Sequence, residues 1–316
     1  MINSKSKIFI AGHNGLIGST LYNLLKINNF NNILVKNRSQ LDLKNKKKVT
    51  NFFKKNKIDC MIMCAARVGG ILENKTYPIE FLLDNLAIQN NLLMAAKKYK
   101  VKRIIFLGSS CIYPKESKIP IKETYIMDGK CEKTNEAYAI AKIAGIKLCS
   151  ILHDQYDKDI ICLMPTNVYG ENDNFDSNSS HVIPGMITKF INAIKNRKNI
   201  KLWGTGKPIR EFIHAEDLVS AILFLMCISK NKLKKISNKQ MPIINVGTGE
   251  SITIKKLALL IKKLTNFQGK VIFDKSYPDG TLNKNLDSSK LKKLGWKANI
   301  LLESGLKKVI LDRLKH

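Results

Sequence analysis

The sequence lacks any apolar run long enough to span a membrane. Its longest, Ala221 to Ile228, falls far short of the ~20 residues that a spanning helix needs. The residues before Ile8 also lack the apolar stretch and cleavage site of a signal peptide. We therefore expect a cytoplasmic protein with no membrane partner.

The sequence also lacks paired cysteines. Its seven cysteines are scattered and show no CxxC spacing, which argues against a disulfide framework and against a structural zinc site. We expect most of them to be buried thiols in a reducing compartment, and we expect no bound metal.

Acidic residues are scarce. The chain has 25 Asp and Glu against 54 Lys and Arg, a formal net charge of +29. A non-catalytic, dinucleotide-sensing regulator that binds nucleic acid is one interpretation, but the excess lysine is spread over many segments and accompanies no known nucleic-acid-binding module. We expect no nucleic-acid partner and an anionic substrate.

The first half of the chain alternates strand and helix patterns. Apolar runs predict strands at residues 7–11, 33–36, 59–65, 103–108 and 159–164, and helices are predicted between them, the longest at Pro78–Lys98 and Tyr138–Tyr156. This alternation predicts an α/β fold with a Rossmann-type doubly wound parallel sheet. The regularity is lost after Asn172. We therefore expect a Rossmann domain over residues 1–170, to which later segments return, and a smaller C-terminal α/β substrate-binding lobe over residues 171–316.

A glycine motif follows the first predicted strand. Gly12, Gly15 and Gly18 form GxxGxxG at the start of a helix, where glycines permit a tight turn and a close approach of the backbone to a pyrophosphate. The end of the second strand then carries Lys36 and Arg38 rather than a carboxylate. Two cations suit a 2′-phosphate, so the predicted cofactor is NADP(H). Asp42 is a candidate for a contact with adenine.

Three residues predict carbonyl chemistry. Tyr138 and Lys142 are four residues apart on a predicted helix and share a face. A neighbouring ammonium is expected to lower the pKa of a phenol and make it a better proton donor. Ser109 follows a strand, where its hydroxyl can bind the same carbonyl oxygen.

Together these motifs resemble the extended short-chain dehydrogenase/reductases that modify nucleotide sugars. The segments GSSCIYP from Gly108, NEAY from Asn135, SSHVIP from Ser179 and REFIH from Arg210 are most similar to the bifunctional 3,5-epimerase/4-reductases of that family. The resemblance covers almost the whole chain. It implies that the enzyme converts GDP-4-keto-6-deoxy-D-mannose to GDP-L-fucose with NADPH, as a homodimer.

The resemblance also implies the site residues. Cys111 and His181 become the base and acid of epimerisation beside the reductive set of Ser109, Tyr138 and Lys142. If the strand continues past Ser109, Cys111 projects to the same side, where Lys142 and the cofactor could activate its thiol. The implied substrate residues are Lys189, Trp203, Arg210 and Asp279. The implied cofactor residues are Gly12, His13, Asn14, Gly15, Leu16, Ile17, Gly18, Arg38, Asp42, Leu43, Leu107, Gly108, Ser109, Ser110, Lys142, Pro165, Thr166, Asn167, Val168 and His181.

Two positions depart from the family pattern. Asn14 stands where relatives often have arginine in the phosphate loop, so more of the 2′-phosphate affinity falls on Arg38. Lys189 stands where relatives often have arginine near the substrate diphosphate, which loses bidentate geometry but keeps the charge. A 4-epimerase or a 4,6-dehydratase of the same fold is the alternative. A 4-epimerase needs neither Cys111 nor His181, and a dehydratase typically has an acidic pair where Ser110 and Cys111 follow Ser109.

Overall fold

The computed structural model describes residues 2–176, 179–237, 240–277 and 279–315. Met1 and His316, the outer ends of the two predicted parts, lie outside the described residues. The first half contains β1 (Ile8–Ala11), α1 (Leu16–Ile27), β2 (Ile33–Val35), α2 (Lys46–Lys55), β3 (Cys60–Met63), α3 (Ile71–Thr76), α4 (Pro78–Lys98), β4 (Arg103–Leu107), α5 (Glu136–Tyr156) and β5 (Asp159–Pro165). The remainder contains β6 (Asn167–Tyr169), α6 (Val182–Lys195), β7 (Ile200–Trp203), β8 (Ile209–His214), α7 (Ala215–Cys227), α8 (Lys230–Ser237), β9 (Ile243–Val246), β10 (Ser251–Thr253), α9 (Ile254–Leu264), β11 (Val271–Asp274), β12 (Asn283–Lys284), α10 (Ser289–Lys293) and α11 (Leu302–Lys315).

A six-stranded parallel sheet, in the order β2-β1-β3-β4-β5-β9, forms the centre of the molecule. Its inner strands are apolar, except for the paired Arg103 and Asp159 that begin β4 and β5, because helices cover both faces. Phe9 and Phe106 pack with α2, α4 and α5 on one face, whereas Ile10 and Ile105 pack with α1 and α7 on the other. The predicted α/β class and doubly wound parallel sheet are confirmed.

The order of strands determines where a ligand can bind. β1 is flanked by β2 on one side and by β3 on the other, so the winding of the chain reverses direction there. Open parallel sheets bind ligands at such a reversal, outside the carboxyl ends of the strands. The glycine motif after β1 therefore lies at the expected ligand crevice.

A second group of elements packs beside those carboxyl ends. β8 pairs with β6, β10 and β12, and β7 pairs with β11. Phe190, Phe212, Ile261 and Leu306 belong to a core of their own. Later segments also join the central sheet, since β9 pairs with β5 and α7 packs on α1. The boundary at residue 170 stays a prediction. No helix in the described ranges is both long and apolar enough to cross a membrane.

Candidate active site

One cleft of about 890 Å³ runs from the glycine motif to the second group of elements. All of the site residues expected from the sequence line this cleft except Leu107 and Lys142, which lie behind its wall. Residues spread from position 12 to position 279 are therefore brought to one place.

The glycine motif is shaped for close approach. Gly12 has a φ of +90°, and a Cβ there would lie 2.6 Å from the backbone N of Ala65. A Cβ at Gly18 would collide with the carbonyl of Gly12, whereas one at Gly15 would meet nothing nearer than 3.8 Å. Gly15 is the N-cap of α1 and has no side chain over the first-turn N–H groups. This open helix end fits the pyrophosphate of a dinucleotide.

Positive charge surrounds the end of β2. Lys36 and Arg38 are exposed at the cleft, and neither is in an ion pair with a described residue. Lys44, which sequence reasoning missed, also lines the cleft and pairs with Asp84 at 2.9 Å. Asp42 accepts a hydrogen bond from the backbone N–H of Lys44 at 3.0 Å, so its carboxylate orders this turn.

The tyrosine lies beside the serine, as the sequence suggests, but its environment differs from the expected one. Ser109 is a hydrogen-bond partner of the Tyr138 phenol, yet burial raises the pKa of Tyr138. Lys142 instead donates to the carbonyl of Leu107 at 2.8 Å, and burial lowers the pKa of Lys142 to about 8. The prediction that a neighbouring ammonium lowers the pKa of this phenol is wrong. Its proton stays on at neutral pH, which is the form a donor needs.

Cys111 does not continue the strand. β4 ends at Leu107, and residues Ser110–Ile112 form a 3₁₀ turn, so the condition of a strand that continues past Ser109 is not met. The turn still brings Cys111 back to Ser109, because the Cys111 N–H donates to the Ser109 hydroxyl at 3.2 Å.

The surroundings of the Cys111 sulfur also differ from the expected ones. The Asn135 side-chain amide donates to Sγ at 3.1 Å. Arg210 is the cation that interacts electrostatically with Cys111, whereas Lys142 interacts with Cys64, Cys149 and Cys162 among the described residues.

His181 is the N-cap residue of α6 and lines the same cleft. The cleft walls desolvate the imidazole and lower the pKa of His181, although the side chain keeps accessible surface. A lowered pKa makes the imidazolium a stronger proton donor but a less populated one at neutral pH.

Sequence reasoning missed the loop that follows β3. Its residues from Cys64 to Leu72 line the cleft, and the Gly70 N–H donates to the carbonyl of Ser179 at 3.1 Å, next to the His181 segment. The available signal was the Gly69-Gly70 pair after a strand that borders β1. The short helix α3, which starts directly after this pair, was also not predicted.

The four expected substrate residues lie at the far end of the cleft. Trp203 is 48% exposed. It stacks on Tyr277 with 4.5 Å between ring centroids. The Lys189 ammonium lies 5.2 Å from the centroid of the Trp203 ring. Asp279 accepts from the backbone N–H and the hydroxyl of Thr205, at 2.7 and 2.6 Å. Burial lowers the pKa of Arg210. This end therefore combines an aromatic surface with cations.

A family model described as the NAD dependent epimerase/dehydratase family matches residues 8–247. The chain belongs to this family of nucleotide-dependent enzymes. The resemblance predicted from the sequence is confirmed.

Individual relatives have more specific names than the family does. The putative GDP-L-fucose synthase 2 of Arabidopsis thaliana is 45% identical over 97% of this chain and 91% of its own. The GDP-L-fucose synthase of Escherichia coli (strain K12) is 43% identical over 96% of this chain and 95% of its own. Among solved structures, a GDP-D-glycero-L-gluco-heptose synthase from Campylobacter jejuni, determined in the presence of NADPH, has a TM-score of 0.91 and 33% identity, covering 99% of this chain and 100% of its own.

Proposed function

We propose that this protein converts GDP-4-keto-6-deoxy-D-mannose to GDP-L-fucose by 3,5-epimerisation followed by NADPH-dependent reduction of the 4-keto group. One observation carries the proposal: a half-buried tyrosine and serine share a single cleft with a cysteine and a histidine. Two relatives at 43–45% identity named GDP-L-fucose synthase support the same activity.

NADP(H) fits the first part of the cleft. Its pyrophosphate would lie at the open N-terminus of α1, and its 2′-phosphate would face Lys36 and Arg38. When bound, the cofactor supplies a hydride to the keto carbon. The solved relative determined in the presence of NADPH supports this choice.

Epimerisation needs a base and an acid. The 4-keto group acidifies the hydrogens on carbons 3 and 5, because the electron pair left behind delocalises onto the carbonyl oxygen. The Cys111 thiolate takes the proton, forming an S–H bond as the C–H bond breaks, and His181 returns a proton from the other side.

Reduction needs a proton at the carbonyl oxygen. The Ser109 hydroxyl orients that oxygen and the Tyr138 O–H donates its proton. Lys142 holds the end of β4 through the Leu107 carbonyl and so fixes the position of Ser109. Product analysis by NMR after incubation with GDP-4-keto-6-deoxy-D-mannose and NADPH tests the proposal. A product reduced at carbon 4 without inversion at carbons 3 and 5 contradicts it.

Arg38 is expected to set the cofactor preference. Arg38→Ala removes a charge-assisted contact with the 2′-phosphate, a class of interaction worth about 1.5–3 kcal/mol, so the ratio of kcat/KM for NADPH over NADH should fall about tenfold or more. Steady-state kinetics with both cofactors measures the ratio. Lys26→Ala, a control that removes a cation at the end of α1 and outside the cleft, should leave it unchanged. Equal use of both cofactors by the unmodified enzyme contradicts the assignment.

The proposed homodimer rests on two neighbouring helices. α4 and α5 pack on each other and expose Leu83 and Met94, and Ile140 and Ile151. Each pair is separated by three helical turns and therefore shares a face. Two copies of this helix pair would bury these faces in a four-helix bundle around a two-fold axis.

Light scattering tests this dimer. The protein should show twice the chain mass of 35.7 kDa, and Ile151→Glu should shift it towards the monomer because a charge is costly in an apolar interface. Ile27→Glu, at a residue 77% exposed on α1, is the matched control. A monomeric intact protein at micromolar concentration contradicts the dimer.

A further inference from the structure

Asn135 departs from the behaviour expected at its position. It is the N-cap of α5, where an asparagine side chain usually accepts a hydrogen bond from an N–H of the first turn. Here it makes no such bond. Its amide donates to the Cys111 sulfur at 3.1 Å, and its Oδ1 is buried with no hydrogen-bond partner among the described residues. Local rules are broken in this way mainly where function requires it.

The location of Asn135 connects it to both half-reactions. Asn135 lines the cleft and lies one turn before Tyr138 on the same helix. The start of α5 therefore places one side chain against the Cys111 sulfur and the other against Ser109. Within the part of the chain that the structure describes, the charged and titratable groups that interact with Cys111 include Arg210, Tyr138 and Cys131.

We infer that Asn135 is a positioning residue for Cys111: its amide N–H fixes the sulfur at the cleft wall and stabilises the thiolate that removes the sugar protons. An N–H donor favours the anionic form of a group that it contacts. Arg210 also interacts electrostatically with Cys111, but a hydrogen bond from the amide fixes the position of the sulfur in a way that a charge interaction alone does not. This inference rests on the function proposed above.

The test measures the thiol itself. Alkylation of Cys111 by iodoacetamide is followed across pH, with the Cys111 peptide quantified by mass spectrometry so that the other cysteines do not interfere. Asn135→Asp keeps the size and an acceptor oxygen but loses the donor. We expect the alkylation midpoint to rise by about one pH unit and the rate at pH 7 to fall about tenfold.

A second variant separates loss of the donor from added charge. Asn135→Ser retains a good N-cap residue and adds no charge, but its shorter side chain leaves the sulfur without the amide donor. It should raise the midpoint in the same direction. Asn28→Asp removes an amide donor at the end of α1, where Asn28 donates to the Leu24 carbonyl at 2.8 Å, and should not move the midpoint.

Two readouts distinguish a failed inference from a failed function. Deuterium incorporation at carbons 3 and 5 should be about tenfold slower in both Asn135 variants than in the intact enzyme. The KM for NADPH should be the same in all three proteins. An alkylation profile identical to that of the intact protein in both variants overturns the role of Asn135, whatever the enzyme does. If the intact enzyme incorporates no deuterium, the proposed epimerisation fails, while the alkylation profiles still decide whether Asn135 controls the thiol.

Discussion

Replacing Tyr138 by phenylalanine is expected to slow NADPH oxidation with the keto sugar by about 10²- to 10⁴-fold, the usual range for loss of a general acid. The variant keeps the ring but has no proton for the carbonyl oxygen. Ser109 would still orient that oxygen, and the Cys111 sulfur would still have its amide donor. Deuterium exchange at the sugar should therefore persist. Stopped-flow absorbance of NADPH, together with NMR of sugar recovered from heavy water, measures the two effects.

Tyr156→Phe is the matched control for this change. Tyr156 lies at the end of the same helix α5, is 47% exposed and does not line the cleft. Its loss of a hydroxyl should leave both rates unchanged. Reduction at the normal rate by Tyr138→Phe would show that another group donates the proton, and the assignment of Tyr138 would then be wrong.

Replacing Cys111 by alanine is expected to give the opposite pattern. With no thiolate at this wall of the cleft, deuterium incorporation at carbons 3 and 5 should fall about 10²- to 10⁴-fold. NADPH binding should be unaffected, because Cys111 is not among the residues implied to hold the cofactor. Mass spectrometry of the product sugar from heavy water and fluorescence titration with NADPH measure the two properties.

The chain offers a control among its other free cysteines. Cys227 is partly buried at the end of α7 and does not line the cleft, so Cys227→Ala should leave exchange unchanged. If Cys111→Ala incorporates deuterium at both carbons at the unmodified rate, Cys111 is only a packed thiol. A simple nucleotide-sugar reductase then becomes the better interpretation.

Much of the fold could be predicted from local sequence patterns. The predicted helix Pro78–Lys98 agrees with α4, and the predicted strands agree with β1 to β5 within a few residues. Apolar runs and helical spacing report how a segment is buried, and burial on both faces of a parallel sheet leaves a clear pattern. The helix α3 was missed because it is one short, mainly polar segment whose order depends on the loop and helix around it.

The chemistry of the site depended on long-range contacts. The sequence by itself determined which groups are available: the glycines of the phosphate loop, the cations after β2, and the serine, cysteine, tyrosine, lysine and histidine of the cleft. Only the tertiary structure decided how those groups are paired. It placed the Lys142 ammonium on the Leu107 carbonyl, 5.9 Å from the Tyr138 ring centroid, and it placed Cys111 in a 3₁₀ turn where its sulfur accepts a hydrogen bond from Asn135. The physical reason is that spacing along one element fixes which side chains share a face, whereas hydrogen bonds and desolvation depend on what other elements bring to that face.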